Sequence, residues 1–293
     1  MAIDRRAELR GPDLLPRLLA DDATRVLRLH GTAAPVTELS DGGVRLVLDA
    51  PEPGDADRLT VYLGEADGVS HVGVVRPAPD GEDQGLRTLR ETGALLDDLG
   101  ASLFATTHAL ANWHAAHGFC PRCGEPTVPH LSGWVRHCPA DGSDHYPRTD
   151  MAVIMNVVDD QDRLLLARNR GFRGRGMSVL AGFVEPGETL AAAVEREVAE
   201  EVGVGVTGVT YLGDQPWPFP SSLMLGFTAR ATGTDLRLQD DEIAAARWFT
   251  RDELVAAVAD ESVVVPGRVS IARRLIEHWF GGPLDAPEVF SLR

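Results

Sequence analysis

Glu197, Glu200 and Glu201 stand at i, i+3 and i+4 in a stretch where Leu190, Val194 and Val198 recur every four residues. Read as one helix over Leu190–Glu201 ended by Gly203, the segment must bury its apolar stripe, and at about 100° per residue the three carboxylates fall on the face adjoining that stripe. They therefore sit at the rim of the buried surface, where a cleft forms. Like charges this close repel by roughly a few tenths of a kcal/mol per pair on an isolated helix, and partial burial raises that cost. A divalent cation removes the conflict, because Mg²⁺ or Mn²⁺ takes carboxylate oxygens and shares its other positions with water and phosphate oxygens. A solvated acidic helix face is the alternative reading of an isolated E-x-x-E-E, and the surrounding residues decide between the two.

The remaining chain has two textures. From Met1 to about Ala78, short apolar runs (Arg25–Leu29, Val44–Leu48, Leu59–Leu63, Val72–Val75) alternate with Gly, Pro and Asp clusters, the pattern of a mostly β segment. PAPDGEDQG, from Pro77 to Gly85, is a loop, and the spacing of Leu95, Leu96, Leu99, Leu103, Leu110 and Trp113 predicts a helix from Leu95 to His117, bent near Gly100. Cys120–Asp144 has too few apolar residues to hold a core without a metal clip. Beyond His145 the pattern predicts strands at Val153–Val158, Arg163–Ala167, Val179–Glu185, Leu223–Ala231 and Arg247–Thr250, and helices at Arg251–Ala259 and Ser270–Phe280. The expected fold class is α+β, with domains at 1–117, 118–145 and 146–293.

Charge and cysteine content narrow the chemistry. With 28 Lys+Arg against 44 Asp+Glu, a net charge of −16 excludes a general nucleic-acid coat, which needs clustered cations. An acidic chain can still hold a phosphorylated ligand through divalent metal. Three cysteines make no fully paired disulfide framework, and Cys120 and Cys123 form a CxxC, which points to metal or redox chemistry in a reducing compartment. No apolar run approaches the ~18 residues of a membrane span, and Met1–Arg10 is polar, so a membrane is not expected and the cytoplasm is the expected location. In Asp214-Gln-Pro-Trp217-Pro-Phe219-Pro-Ser-Ser222, three alternating prolines favour an extended segment that presents Trp217 and Phe219 as a platform for a flat ring, or else a Pro-rich turn covering the core.

The spacing G-x5-E-x7-R-E-V-x-E-E-V-G-V, from Gly182 to Val204, resembles the Nudix box at every specified position. The Asp214–Ser222 string is similar to the S-Q-P-W-P-F-P-x-S array of the NADH pyrophosphatase branch, with Asp214 in place of the first Ser. Tyr146-Pro147-Arg148, Glu242 in D-D-E-I, and Ile271–Ile276 fit the same branch. From about Leu86 onward the resemblance rests on motifs, and over the first 80 residues on layout alone. It implies an N-terminal mostly β domain, a small zinc-ribbon-like module and a C-terminal Nudix α/β/α sandwich. Glu188 and Arg196 would brace the loop. Ala181, Glu197, Glu200, Glu201 and Glu242 would hold Mg²⁺ or Mn²⁺, with Glu197, Glu200 and Glu201 catalytic and Glu201 handling the attacking water. Tyr146, Phe183, Gln215, Trp217, Ser222, Ala272 and Arg90 would contact substrate, with Arg87 an equal candidate to Arg90 on spacing.

By the same resemblance C-x2-C-x14-C-x2-D is a zinc ribbon whose fourth cysteine is replaced by Asp141. Zn²⁺ accepts carboxylate oxygen as well as thiolate, so Cys120, Cys123, Cys138 and Asp141 are a reasonable ligand set, with His137, His145 or His130 as substitutes for Asp141. His108, His114 and His117 are expected to be packing or solvated residues. The implied activity is metal-dependent hydrolysis of NADH or NAD⁺ to nicotinamide mononucleotide and AMP by a homodimer, extending to removal of the cap from 5′-NAD RNA. The alternatives are a Nudix pyrophosphatase for ADP-ribose-like substrates and a catalytically silent sensor of NAD-like ligands. The intact glutamates speak against the sensor.

Overall fold

The computed structural model describes residues 2–81, 85–172, 174–238 and 242–289. Chain contacts divide it into two compact units, Met1–Thr149 with Pro218–Ser221, and Asp150–Trp217 with Ser222–Arg293.

The first unit is built on α1 (Leu14–Leu19), β1 (Arg25–His30), β2 (Ala33–Glu38), β3 (Val44–Leu46), β4 (Leu59–Ala66), β5 (Val69–Arg76), β6 (Leu86–Thr88), α2 (Leu89–Thr92) and α3 (Asp98–Ala116). Its sheet runs β3-β2-β1-β5-β4 with β6 paired to β2, and β1 lies parallel to β5. The expected strands are present. α1 is an addition to the mostly β reading, tolerated because Pro16 falls in its first turns. The long helix starts later than the leucine spacing predicts. Asp97 caps it by accepting the Gly100 N–H at 2.7 Å, so Leu95 and Leu96 precede the helix and Gly100 marks its first turn, not a bend. A small three-stranded sheet follows: β7 (Val128–His130), β8 (Val135–His137) and β9 (Asp144–His145).

Arg28 of β1 and Arg76 of β5 bring an ionic cluster to the larger sheet. Asp55, 0% exposed, accepts from Arg28 at 3.2 and 2.7 Å, from Arg76 at 2.7 Å and from the Glu52 N–H at 3.0 Å. Burial works to raise its pKa, yet these donors hold it below the ordinary value. Removing one partner of a buried pair leaves the other charge uncompensated. Asp55→Ala should therefore destabilise the first unit by about 3–5 kcal/mol, measured by urea unfolding. A loss below about 1 kcal/mol would mean that Asp49 and Glu52 hold Arg28 without it.

The second unit contains β10 (Asp150–Val158), β11 (Leu164–Asn169), β12 (Leu180–Phe183), α4 (Leu190–Val202), β13 (Val206–Trp217), β14 (Ser222–Ala231), β15 (Ile243–Phe249), α5 (Arg251–Ala259) and α6 (Ile271–Phe280). The sheet order is β13-β14-β10-β11-β15, with β12 paired to β10 and β10 parallel to β14. Side chains alternate along β10. Val153, Met155 and Val157 enter the core with Ala193, Val194, Val198 and Val202 of α4, while Ile154 and Val158 enter the opposite core with Leu254, Leu275 and Ile276. One helix on one face and two on the other make an α/β/α sandwich. β13 escapes the sequence reading because it is a half-exposed edge strand with register shifts between Thr207/Thr210 and Tyr211/Gly213, which erase the period-two signal.

Candidate active site

Both ends of α4 are defined by its own residues. Thr189 accepts the Ala192 N–H at 3.2 Å, and Gly203 closes the helix in the left-handed conformation at φ 70°, as its place in the sequence predicts. Ahead of the helix, Arg196 binds both oxygens of Glu188 at 2.8 and 3.0 Å and the Phe183 carbonyl at 2.9 Å, while Glu188 also accepts the Glu185 N–H at 3.0 Å. The loop is thereby fastened to the helix through one guanidinium. Arg196 reaches Glu197 at 2.9 Å and the more exposed Glu200 at 3.1 Å as well. Gly182 on β12 has a different duty: a Cβ there would lie 1.8 Å from the Glu197 carboxyl carbon, so only glycine lets that carboxylate rest on the strand.

Glu201 is 3% exposed, and its Oε2 has no hydrogen-bond partner among the described residues. Burial, then the charges of Glu242 and Glu197, push its carboxyl up to about 8. Burial also raises Glu197, with Glu200 and Glu242 adding to the rise against the Arg196 hydrogen bond. A buried carboxylate beside two others, one oxygen unpartnered, fits a divalent cation: positive charge placed there satisfies the orphaned oxygen and relieves the repulsion together. Glu242 comes from the segment before β15 and is held by the Arg170 N–H, which donates to its carbonyl at 2.8 Å, and by Asn169 Nδ2, 3.4 Å from its Oε1. Asp240 and Asp241, quoted with it from the sequence, lie outside the described residues. Asn169 was not picked out from sequence; its signal is the turn it makes, accepting the Gly171 N–H at 2.8 Å.

The proline array is not one extended segment. β13 ends at Trp217, which pairs with Ser222 at the start of β14, and Pro218–Ser221 is the connecting turn. Trp217 and Phe219 therefore part company. Phe219 packs into the core of the first unit, under the Arg90 guanidinium at 3.8 Å and beside the His108 ring at 5.5 Å, while Asn112 donates to the carbonyls of Pro218 and Pro220 at 2.9 and 3.2 Å. Phe219 is a packing residue here, which corrects the two-ring platform. Arg90, expected at substrate phosphate, lies on α2 stacked on that ring. Gln215 spends its amide on backbone, donating to the Val269 carbonyl and accepting the Ile271 N–H, both at 2.6 Å. Ala272 is buried at the start of α6. Phe183 is 61% exposed at the end of β12, and Tyr146, in the first unit, is 69% exposed. Ala181 pairs with Ile154 across β10 and β12.

Residues 147–267 match the NUDIX domain, and residues 115–146 match the NADH pyrophosphatase zinc ribbon domain. A "NAD-capped RNA hydrolase NudC" from Mycobacterium bovis is 40% identical over 277 residues, covering 89% of this chain and 85% of that protein. The chain belongs to the Nudix family, in its NADH pyrophosphatase branch. The protein of the same name from Mycobacterium tuberculosis shows the same 40% identity and coverage of 89% and 85%. Human "NAD-capped RNA hydrolase NUDT12" is 40% identical over 196 residues, 63% of this chain and 42% of that protein. Among solved structures, a NUDIX hydrolase from Nitrosomonas europaea, 22% identical, covers 56% of this chain and 94% of its own with a TM-score of 0.43. The cations such a Nudix hydrolase uses are Mg²⁺ or Mn²⁺.

The ribbon of this Nudix hydrolase gathers the Sγ atoms of Cys120, Cys123 and Cys138 and a carboxylate oxygen of Asp141 within 4.8 Å of one another. Cys120 lies 3.5 Å from Asp141 Oδ2, and Cys123 3.5 Å from Cys138. Donors around one tetrahedral zinc with ~2.3 Å bonds to sulfur stand about 3.8 Å apart, so this donor set fits the ion. Against burial, the N–H groups of Arg122 and Cys123 bring Cys120 down to about 6. Ser143, also unremarked in the sequence, gives its hydroxyl and N–H to Asp141 Oδ1 at 2.5 and 2.9 Å and holds that carboxylate well below the usual range. Of the substitute histidines, His137 is bound to Asp144 at 2.7 Å and faces His130, while His145 Nε2 stands 3.3 Å from Cys120. On α3, the His114 ring bridges the Gly133 carbonyl and Arg136 at 2.8 and 2.9 Å, and His117 bonds the Trp113 carbonyl at 3.0 Å. No helix among the described residues is long and apolar enough to cross a membrane.

Proposed function

We propose that this chain hydrolyses the pyrophosphate bond of NADH or NAD⁺ to nicotinamide mononucleotide and AMP, and breaks the same bond at the 5′ end of NAD-capped RNA. The observation that carries the reading is Glu201, a buried carboxylate with an unpartnered oxygen, close enough to Glu197 and Glu242 for their charges to raise its pKa. The relatives' printed names give the substrate class. Glu197, Glu201 and Glu242, with Glu200 and Ala181 added by family resemblance, would hold Mg²⁺ or Mn²⁺. When bound, such an ion supplies positive charge against the pyrophosphate oxygens and acidifies water. With a cation there to offset the neighbouring carboxylates, Glu201 would be ionised and would take the proton of the attacking water as the water oxygen bonds to phosphorus, and the bridging P–O bond breaks with the leaving nucleotide keeping the bridging oxygen. Arg196 and Glu188 keep the loop in place throughout. Tyr146, Phe183, Trp217, Ser222, Ala272 and Arg90 are assigned to substrate by family resemblance, as are a homodimer and a cytoplasmic setting. Product analysis with NADH, NAD⁺, ADP-ribose and a 5′-NAD RNA under each cation tests this; cleavage of ADP-ribose alone would overturn it.

Trp217→Ala probes the substrate side. A ring stacked on a flat base contributes about 1–3 kcal/mol, so KM for NADH should rise about tenfold while the melting temperature moves little. Loss of the fold with unchanged affinity in the surviving fraction would make Trp217 a core residue.

A further inference from the structure

Gln215 resembles a substrate-contacting residue of the family, but its side chain closes a different circuit. The first N–H groups of a helix have no partner within the helix. At α6, Ser270 caps the Ala272 N–H at 3.2 Å, and the Arg273 N–H turns back to the Ser270 carbonyl at 3.0 Å. The Ile271 N–H is beyond both. It is taken by Gln215 Oε1 at 2.6 Å, from a strand 56 positions earlier, while Nε2 of the same amide donates to the Val269 carbonyl at 2.6 Å. One side chain thus grips the chain on both sides of the cap residue.

The setting gives this grip a consequence. Gln215 and Trp217 are two apart on β13 and share a face of the strand. Beneath α6, a Cβ on Gly226 of β14 would lie 2.9 Å from Ile271 Cδ1, so the helix start is seated directly on the sheet beside β13. Ala272, next in the helix, is 3% exposed in the core beneath it. A donor and an acceptor on two separate atoms, each 2.6 Å from backbone, are used at position 215, which an ionised acid cannot supply and an amide can.

We infer that Gln215 is a positioning residue, which pins the first turn of α6 against β13 and so fixes the spacing between Trp217 and Ala272, the two surfaces assigned to the dinucleotide. The functional half rests on the hydrolase reading above; the structural half does not. Gln215→Met keeps length and volume but removes both bonds, and Gln215→Glu keeps the acceptor for Ile271 while setting a carboxylate oxygen against the Val269 carbonyl. In ligand-free protein, amide exchange at Ile271 and Ala272 should quicken about fivefold or more in Gln215→Met, the scale of a lost helix cap, and by less in Gln215→Glu. KM for NADH should rise in the same order, with kcat falling less. A raised KM with unchanged exchange overturns the inference and makes Gln215 a direct substrate contact. Quickened exchange with unchanged KM overturns it also, because the helix start then has no bearing on substrate. A wild-type protein inert toward NADH defeats the hydrolase reading, and the exchange data still decide whether Gln215 caps α6.

Discussion

Glu201→Gln is expected to fold as the parent does and to lose at least about 100-fold in NADH hydrolysis, the scale for removing a positioned acid–base group. The substitution keeps volume and burial and deletes one charge. Its second effect is on stability, and it separates this glutamate from an ordinary surface carboxylate. In the metal-free protein, burial and the charges of Glu242 and Glu197 put the folded pKa at about 8, against about 4.3 for an unfolded glutamate. Between those values the folded state carries a proton that the unfolded state lacks, so stability from this group is full below the unfolded pKa and declines as pH rises toward 8. Metal-free Glu201→Gln should therefore come closest to the parent at pH 4, below the unfolded pKa, and melt higher than it at pH 8. Mg²⁺ or Mn²⁺ should close that gap by stabilising the parent alone. Thermal melts at the two pH values, with and without cation, read this directly. Equal melting at pH 8 without cation would show that Glu201 is ionised and solvated, and near-normal turnover would eliminate it as base and as essential ligand.

The carboxylate site was legible in sequence because it is local. Helix periodicity places Glu197, Glu200 and Glu201 beside the apolar stripe, and the loop brace of Glu188 and Arg196 spans eight positions. Gly182 was legible as a motif position, but its reason, the Glu197 carboxylate lying on it, needed the strand and helix assembled. Residues joined over long separations were harder. Gln215 and Ile271 stand far apart in the chain, and nothing in the local pattern says that the amide faces backbone. Phe219 reads like Trp217 in an alternating proline string, yet a turn begins between them and sends the two rings into different units. Asp97 sets the start of α3 because its side chain caps the Gly100 N–H, and Leu95, 46% exposed, has little burial to gain by joining the helix. Edge strand β13 was missed for the converse reason: half-exposed strands carry little hydrophobic signal.

Protein purified without chelator should carry one zinc per chain, bound by Cys120, Cys123, Cys138 and Asp141, and losing it should loosen the ribbon without touching the chemistry. The strands of this module are three, three and two residues long, too short to hold themselves closed. In small finger peptides structural zinc contributes roughly 10 kcal/mol or more, but this ribbon has other supports, so a smaller loss is expected. Arg136 binds Thr127 through Nε at 2.6 Å and the Thr127 carbonyl at 2.5 Å, and Trp134 donates to the Tyr62 carbonyl at 2.6 Å. Turnover per folded molecule under Mg²⁺ should survive stripping, because the closed Cys₃Asp set leaves no position for water and the carboxylates favour harder cations. Less than about 0.2 zinc per chain by elemental analysis would mean that replacing the fourth cysteine has abolished the site. Asp141→Asn keeps the acceptor for the Ser143 N–H but removes the charge, and should weaken zinc about tenfold or more in a metal-buffered competition. Asp141→Cys should tighten it. If neither substitution changes zinc retention while His145→Ala releases the metal, the imidazole 3.3 Å from Cys120 is the fourth ligand and Asp141 only orders the turn.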